Sequence, residues 1–509
     1  MVVNVWSATV PMQRVAAGLA AVRDENGVEL GFPDTVLDEA ESAVRAYVAP
    51  TRELTDVEFV TLDPEGSTDL DQAFHISEQG SGYRVRYAIA DVPAFVELGG
   101  ILDLETRKRG ETVYCPDAKA SLHPAVLADD KVSLVADQPR GAYVWTIDVA
   151  DGGETELVSL ERALIRSRAK LAYEREQDLF DAGTPHPQIA LLREVGLRRE
   201  AQEVARGAVS LPSPSQEVRS DQDGGINLVF RVPGAVEGWN AQLSLMTGIA
   251  AAEIMLDGGV GVLRTMPPPE AQDLRRVRSS ARALGIDWPS DRTYPEVIRS
   301  LDPGNPQHAA FLDNVTALMR GAGYTVFDGA APELDSHSAI AGHYAHVTAP
   351  LRRLVDRFGL AVCLALVEGR EIPEQLRAAL PELPDLMTTS GRRARTTERG
   401  CLDYLEAELL AGREGAAFRG VVIEQGKTGG TVQLADPAII AKVRGKDLPV
   451  GEWVTAWLAQ ADPATRKVVF DVTPRSANGT NGASPANGTD SANGSAAGGA
   501  KGGPAPVGA

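Results

Sequence analysis

The order in which strand-like and helix-like runs follow one another constrains this chain more than any other feature. Strand candidates (EFVTLD, YRVRYAIADV, YVWTIDV) dominate up to about residue 165. Helical patterns then take over: QIALLREVGLRREAQEVARG, GWNAQLSLMTGIAAAEIML, EAQDLRRVRSSARALG, HAAFLDNVTALMRGAG and APLRRLVDRFGLAVCLALVEG. Several stop at Gly, as helix C-termini often do. Strands first and helices later predict an α+β body of mixed β-sheets and helices, not a repeating βαβ fold. Near the end come FRGVVIEQG, GTVQLAD, AIIAKVRG, EWVTAWLAQAD and KVVFDV, short alternating runs separated by Gly, Pro or Asp. Their spacing predicts a small OB-type β-barrel. The first fifty residues offer one helix, DTVLDEAESAVRAYV. From Ser476 to Ala509 the chain is Ala, Gly, Asn, Ser and Pro without apolar periodicity, which predicts a disordered low-complexity tail.

At 509 residues the chain is long enough for more than one domain. No apolar run is long enough to span a bilayer, so no membrane partner is expected. The N-terminus shows no basic leader followed by an apolar stretch, and the NGT and NGS triplets of the tail read as accidental. Three cysteines (Cys115, Cys363, Cys401) are too widely spaced for a metal knuckle and fit a reducing, cytoplasmic setting. The net charge of −20 opposes indiscriminate coating of polyanions. It does not oppose a local channel for a strand, because screening acts beyond about 8 Å at physiological salt.

Two segments carry chemistry. In FVTLDPEGSTDLDQAFHI a strand-like run ends at Asp63, Pro64 and Gly66 turn the chain, and Asp69 and Asp71 follow. In an extended stretch Asp69 and Asp71 share a face, and the turn can fold Asp63 back towards them. Three converging carboxylates call for a hard cation such as magnesium. An exposed acidic turn on an acidic protein is the other reading. In GHYAHVTAPLRRLVDRF, Thr348 reads as an N-cap and Pro350 as a first-turn residue. That puts Arg352 and Arg353 where the helix dipole disfavours cations and where a phosphate would be welcome. Asp356 lies four residues after Arg352 and can hold it. An ordinary surface ion pair is the alternative.

Together these segments resemble the signature pair of the ribonuclease II and ribonuclease R family, the RNB-domain exoribonucleases. The strand-ending T-I-D and the D-x-D-D group stand here as TLD at 61–63 and DLDQ at 69–72, and the arginine motif as YAHVTAPLRRLVD. AIADV (88–92), VYCP (113–116), LADDKVSL (127–134), SRAKLAYE (167–174) and RTMPPPE (264–270) fall in order between them. The resemblance implies a short N-terminal segment, partly helical (1–50), and an RNB catalytic domain (51–367). A helical connector (368–412), an RNA-binding OB-type barrel (413–475) and the tail (476–509) follow.

The resemblance also implies processive 3′→5′ hydrolysis of single-stranded RNA to nucleoside 5′-monophosphates, without an organic cofactor. Asp63, Asp69 and Asp71 would hold magnesium, or manganese, and Arg352 would stabilise charge on the scissile phosphate. Tyr173 would hold the terminal base. Tyr114, Arg353 and Gln72 would also contact substrate.

The chain departs from the family at Gln72, where the fourth acid usually stands; an amide brings no charge and cannot act as a base. If that acid limits the rate, Gln72→Asp should raise activity in magnesium. Gln242 and Leu243 occupy positions where acids are common, and Leu354 replaces an aromatic residue. Fifty residues cannot encode the two cold-shock barrels that larger relatives carry before the catalytic domain. The run GRRARTTER (391–399) is the best remaining basic stripe for the strand. The rival readings are an RNB-fold protein that binds RNA 3′ ends but cuts weakly or not at all, a hydrolase of single-stranded DNA, and an acidic adaptor scaffold.

Overall fold

Alternation of large apolar and polar residues along five strands closes the first barrel of the computed structural model. The model describes residues 9–211, 214–221 and 224–472, so the tail expectation for 476–509 lies outside the described residues. Strands Glu53–Asp63, Gln72–Gln79, Gly82–Ala90, Pro139–Val149 and Thr155–Ala172 follow one another around the barrel. Three of the four sequential neighbours pair extensively as antiparallel partners. The closing seam is parallel, pairing Glu53 with Leu164 and Asp63 with Ala172. Tyr87, Phe74, Ile89 and Trp145 are completely or almost completely buried and join the main core.

Helices then cover the barrel. Pro187–Arg206 and Ala235–Asp257 pack on each other, and the second packs against Leu354–Val367, a helix buried over most of its length. The Pro187–Arg206 helix ends at Gly207 with φ 79°, a left-handed C-terminus that only glycine adopts cheaply. The long helix Leu383–Leu410 runs on to the second closed barrel, formed by Ala417–Gln425, Gly429–Leu434, Ile439–Arg444, Trp453–Asp462 and Lys467–Val472. All five strands expected there are present. The fold is α+β, as expected.

Among the described residues, the first fifty hold two helices, not one: Met12–Glu25 and Asp34–Ala46. The extra one buries Val15, Leu19 and Val22 against Cys401, Leu405 and Leu409 of the long helix. Among the described residues no helix is long and apolar enough to cross a membrane.

One buried carboxylate ties this helix to the second barrel. Glu406 is 2% exposed and its Oε1 accepts from Ile440 N at 3.1 Å and Gln216 Nε2 at 2.8 Å. Burial pushes its pKa up to about 7, against the pull of Gln216, Arg399 and Ile440. A carboxyl raised on folding favours the native state below its unfolded value, and that contribution is lost as pH rises towards 7. Glu406→Gln keeps an acceptor for Ile440 and removes the titration. We expect this variant to be more stable than the parent at pH 8 by about 1–3 kcal/mol, with the difference shrinking towards pH 5. Urea titrations at the two pH values measure it, and an unchanged difference would contradict the assignment.

Candidate active site

The barrel rim brings the acidic cluster together with the arginine segment. Asp63 ends its strand beside Ala172, so Tyr173, the next residue, starts its helix close by. The loop from Pro64 to Asp71 is pinned from the far side: Ser133 Oγ accepts from Leu70 N at 2.9 Å and donates to the Thr68 carbonyl at 2.6 Å. Asp71 rejoins the sheet where its carbonyl accepts from Ala90 N at 2.9 Å.

Asp71 is 2% exposed. Its Oδ1 accepts from Leu351 N at 2.7 Å, and its Oδ2 lies 3.4 Å from Arg352 Nε. That oxygen and Asp63 Oδ2 are buried and accept no hydrogen bond. Burial pushes the Asp63 carboxyl up to about 6, opposed by Arg352 and Lys170 and reinforced by Asp69. Burial also drives Asp71 well above the carboxylate range, with Arg352 and the Leu351 amide pulling it back. Two buried carboxyls held short of full ionisation lack a positive charge, which is what a hard cation supplies.

Asp69 faces another way. Its Oδ1 accepts from Lys119 Nζ at 3.0 Å and its Oδ2 from the Tyr114 hydroxyl at 2.9 Å. Lys119 also binds Asp129 at 2.7 Å. Among the described residues no group of three or more His, Cys, Asp or Glu is gathered as a metal would require. Asp63 and Asp71 therefore fit a cation by oxygens that accept no hydrogen bond, the Asp71 oxygen lying against Arg352, while both Asp69 oxygens already accept from Lys119 or Tyr114. Lys119 was missed in the sequence, although it lies between two of the collinear motifs.

The arginine segment differs from its reading as a helix start. The helix begins at Leu354, and Arg353 has extended backbone. Thr348 precedes, and Pro350 lies within, a tight turn in which Arg352 N and Arg353 N both donate to the Ala349 carbonyl. Asp356 holds Arg353, not Arg352: Arg353 donates to it from Nε at 2.5 Å and Nη2 at 2.8 Å, and Ala349 N adds a third bond at 2.7 Å. The reason is reach. Arg353 sits at the cap, over the first turn that presents Asp356, and Arg352 points back to Asp71. Arg352 stays half exposed (49%), free to meet a ligand, while Arg353 is committed internally.

Gln72 donates from Nε2 to the Thr348 carbonyl, so the residue in the fourth acid's place ties the first barrel strand after the loop to the arginine turn. Gln72→Asp would remove this donor and set a shorter, charged group near Asp71. We expect activity to fall by about 3- to 10-fold, not rise, from the loss of one partly buried hydrogen bond. Initial rates in magnesium and manganese test it, and a gain in either would show that the missing acid limits the site.

Gln72, Arg352 and Tyr173 line one pocket of ≈ 510 Å³. Tyr173 accepts a hydrogen bond from Asn240 Nδ2 at 2.7 Å, which fixes its ring. Tyr114 lies outside this pocket, half exposed on the Asp69 side. Gln242 lines the pocket, whereas Leu243 is wholly buried in the core. In the 391–399 run, Arg393 donates to the carbonyls of Lys108 and Arg109 and Arg399 pairs with Asp403, so part of that stripe is structural.

The chain thus combines a barrel whose rim carries buried acids, an arginine and a tyrosine-lined pocket with a second closed barrel. A model of the RNB domain matches residues 51–360, and a model of the RNase II-type exonuclease C-terminal S1 domain matches residues 416–473. The chain belongs to the RNB exoribonuclease family. It is 24% identical over 467 residues to ribonuclease R of Aquifex aeolicus, covering 87% of this chain and 65% of that one. The fold is similar to that of Mycoplasma genitalium RNase R in complex with ribose-methylated single-stranded RNA, with a TM-score of 0.80 at 20% identity, over 90% of this chain and 78% of that one. Yeast Ssd1, described as a pseudonuclease, has a similar fold with a TM-score of 0.65 at 15% identity, over 86% of this chain and 58% of that one.

Proposed function

We propose that this chain is a processive 3′→5′ exoribonuclease that hydrolyses single-stranded RNA to nucleoside 5′-monophosphates with magnesium, or manganese. The observation that carries the reading is the pair of buried oxygens that accept no hydrogen bond, Asp63 Oδ2 and Asp71 Oδ2, the second lying 3.4 Å from Nε of the half-exposed Arg352. A divalent ion bound there supplies Lewis-acid activation of the phosphate and of an attacking water. Arg352 balances negative charge that builds on the phosphate oxygens. Tyr173 orients the terminal nucleotide through its face without reading the base. Tyr114 and Lys119 hold the Asp69 carboxylate, which would turn towards a bound ion, and Gln72 keeps the Arg352 turn in register.

A second reading rests on Gln72 itself: with the fourth acid absent, the chain binds RNA 3′ ends and cuts weakly or not at all. A 5′-labelled RNA or DNA oligonucleotide incubated with magnesium, manganese or chelator separates the two. A ladder shortening from the 3′ end on RNA alone, lost in chelator, supports the enzyme. Tight binding without shortening in either metal would favour the binding protein.

A further inference from the structure

The pocket lined by Arg352 and Tyr173 has another wall whose polar groups the reaction leaves unused. Glu203 comes from the Pro187–Arg206 helix, and its carboxylate is clamped from both sides. Ser210 Oγ donates to Oε1 at 2.6 Å and Gln242 Nε2 donates to Oε2 at 2.6 Å. Each oxygen keeps a further lone pair. Gln242, from the Ala235–Asp257 helix, is 7% exposed, and its own Oε1 is buried and accepts no hydrogen bond. All three side chains line the pocket. The Glu203 carboxylate thus keeps acceptor capacity on the pocket wall, and a ligand group that meets it there has to donate.

The volume, ≈ 510 Å³, lies in the range that takes a nucleotide-sized group. The four bases differ in what they can donate. Guanine carries a ring N–H beside an amino group, a pair that matches the two oxygens of one carboxylate. Adenine and cytosine offer one amino group. Uracil offers a single ring N–H between two carbonyls, which would face the acceptors. A hydrogen bond to an ionised carboxylate is roughly twice as strong as a neutral one.

We propose that Glu203, positioned by Ser210 and Gln242, makes this wall a base-selective subsite that prefers a 3′-terminal guanosine over a 3′-terminal uridine. The inference rests on the exoribonuclease reading above, and adds to it a preference read by hydrogen bonds to Glu203, beyond the modest one that stacking on Tyr173 gives.

The test uses the full chain and four RNA oligonucleotides that differ only in the last nucleotide. Dissociation constants are measured in chelator and single-turnover removal rates in magnesium. Guanosine-ended RNA is expected to bind about tenfold more tightly than uridine-ended RNA, the size of one good bidentate contact. Glu203→Gln and Gln242→Leu, checked for folding by circular dichroism, should bring that ratio towards one. A ratio near one in the parent chain, or one unchanged in Glu203→Gln, would overturn the inference and leave the exoribonuclease reading standing. If no RNA shortens in any metal, that reading fails, and the binding ratios in chelator still decide the inference separately.

Discussion

Asp71→Asn should abolish shortening of RNA, by about 10²–10³-fold or more, while leaving the protein as stable as the parent or more so. Asparagine keeps an oxygen for Leu351 N, the bond that seats the arginine turn on the barrel rim. It removes a carboxylate whose second oxygen is buried without a hydrogen bond and whose charge burial opposes. Relief of that penalty is worth about 1–3 kcal/mol, a rise of a few degrees in melting temperature. Activity and stability then move in opposite directions, as they do where a site is kept strained for function. Paired melting curves and single-turnover rates measure both. A variant that is inactive because it is unfolded would count against this account of Asp71.

Asp103→Ala should be the most damaging single change to the fold. Asp103 is fully buried and receives Arg357 on Oδ1, with Gly99 N at 2.8 Å and Arg107 Nε at 3.0 Å on Oδ2. Arg357 is 3% exposed, and its Nε and Nη1 have no hydrogen-bond partner even now. Removing its carboxylate leaves a guanidinium in the core, at a cost of about 3–5 kcal/mol. The pair holds the Ile101–Arg109 helix to the Leu354–Val367 helix, the element that begins just past Arg352. Activity should therefore decline along with stability. Replacing both partners, as Asp103→Leu with Arg357→Met, should recover much of the loss, because the buried guanidinium goes with its carboxylate and Arg107 keeps Glu382. Denaturant titration of the single and double variants tests this, and equal losses in both would contradict it.

What the sequence made legible follows the range of the interactions involved. The C-terminal barrel strands were readable because apolar alternation and Gly, Pro or Asp breaks are local signals. The closure of the first barrel was not, since its seam joins Glu53 to Leu164 across more than a hundred residues. Val15, Leu19 and Val22 carry helical spacing, but an Ala-rich stretch gave it little contrast. Asp63, Asp71 and Arg352 were found by motif order and are brought together in space. The local rules failed between Thr348 and Leu354. Thr348 and Pro350 look like the start of a helix, but Asp356 ties down Ala349 and Arg353, and the chain stays in a turn up to the cap. No local signal revealed that Lys119 and Tyr114 would hold Asp69, or that Gln72 would reach Thr348.

The most direct test of the central claim is mass spectrometry of the nucleotides released from single-stranded RNA in heavy-oxygen water with magnesium. Hydrolysis at the Asp63, Asp71 and Arg352 site predicts nucleoside 5′-monophosphates with one heavy oxygen in the phosphate, and none released in chelator. Cyclic phosphates, 3′-phosphates, or release that persists without a divalent ion would contradict it.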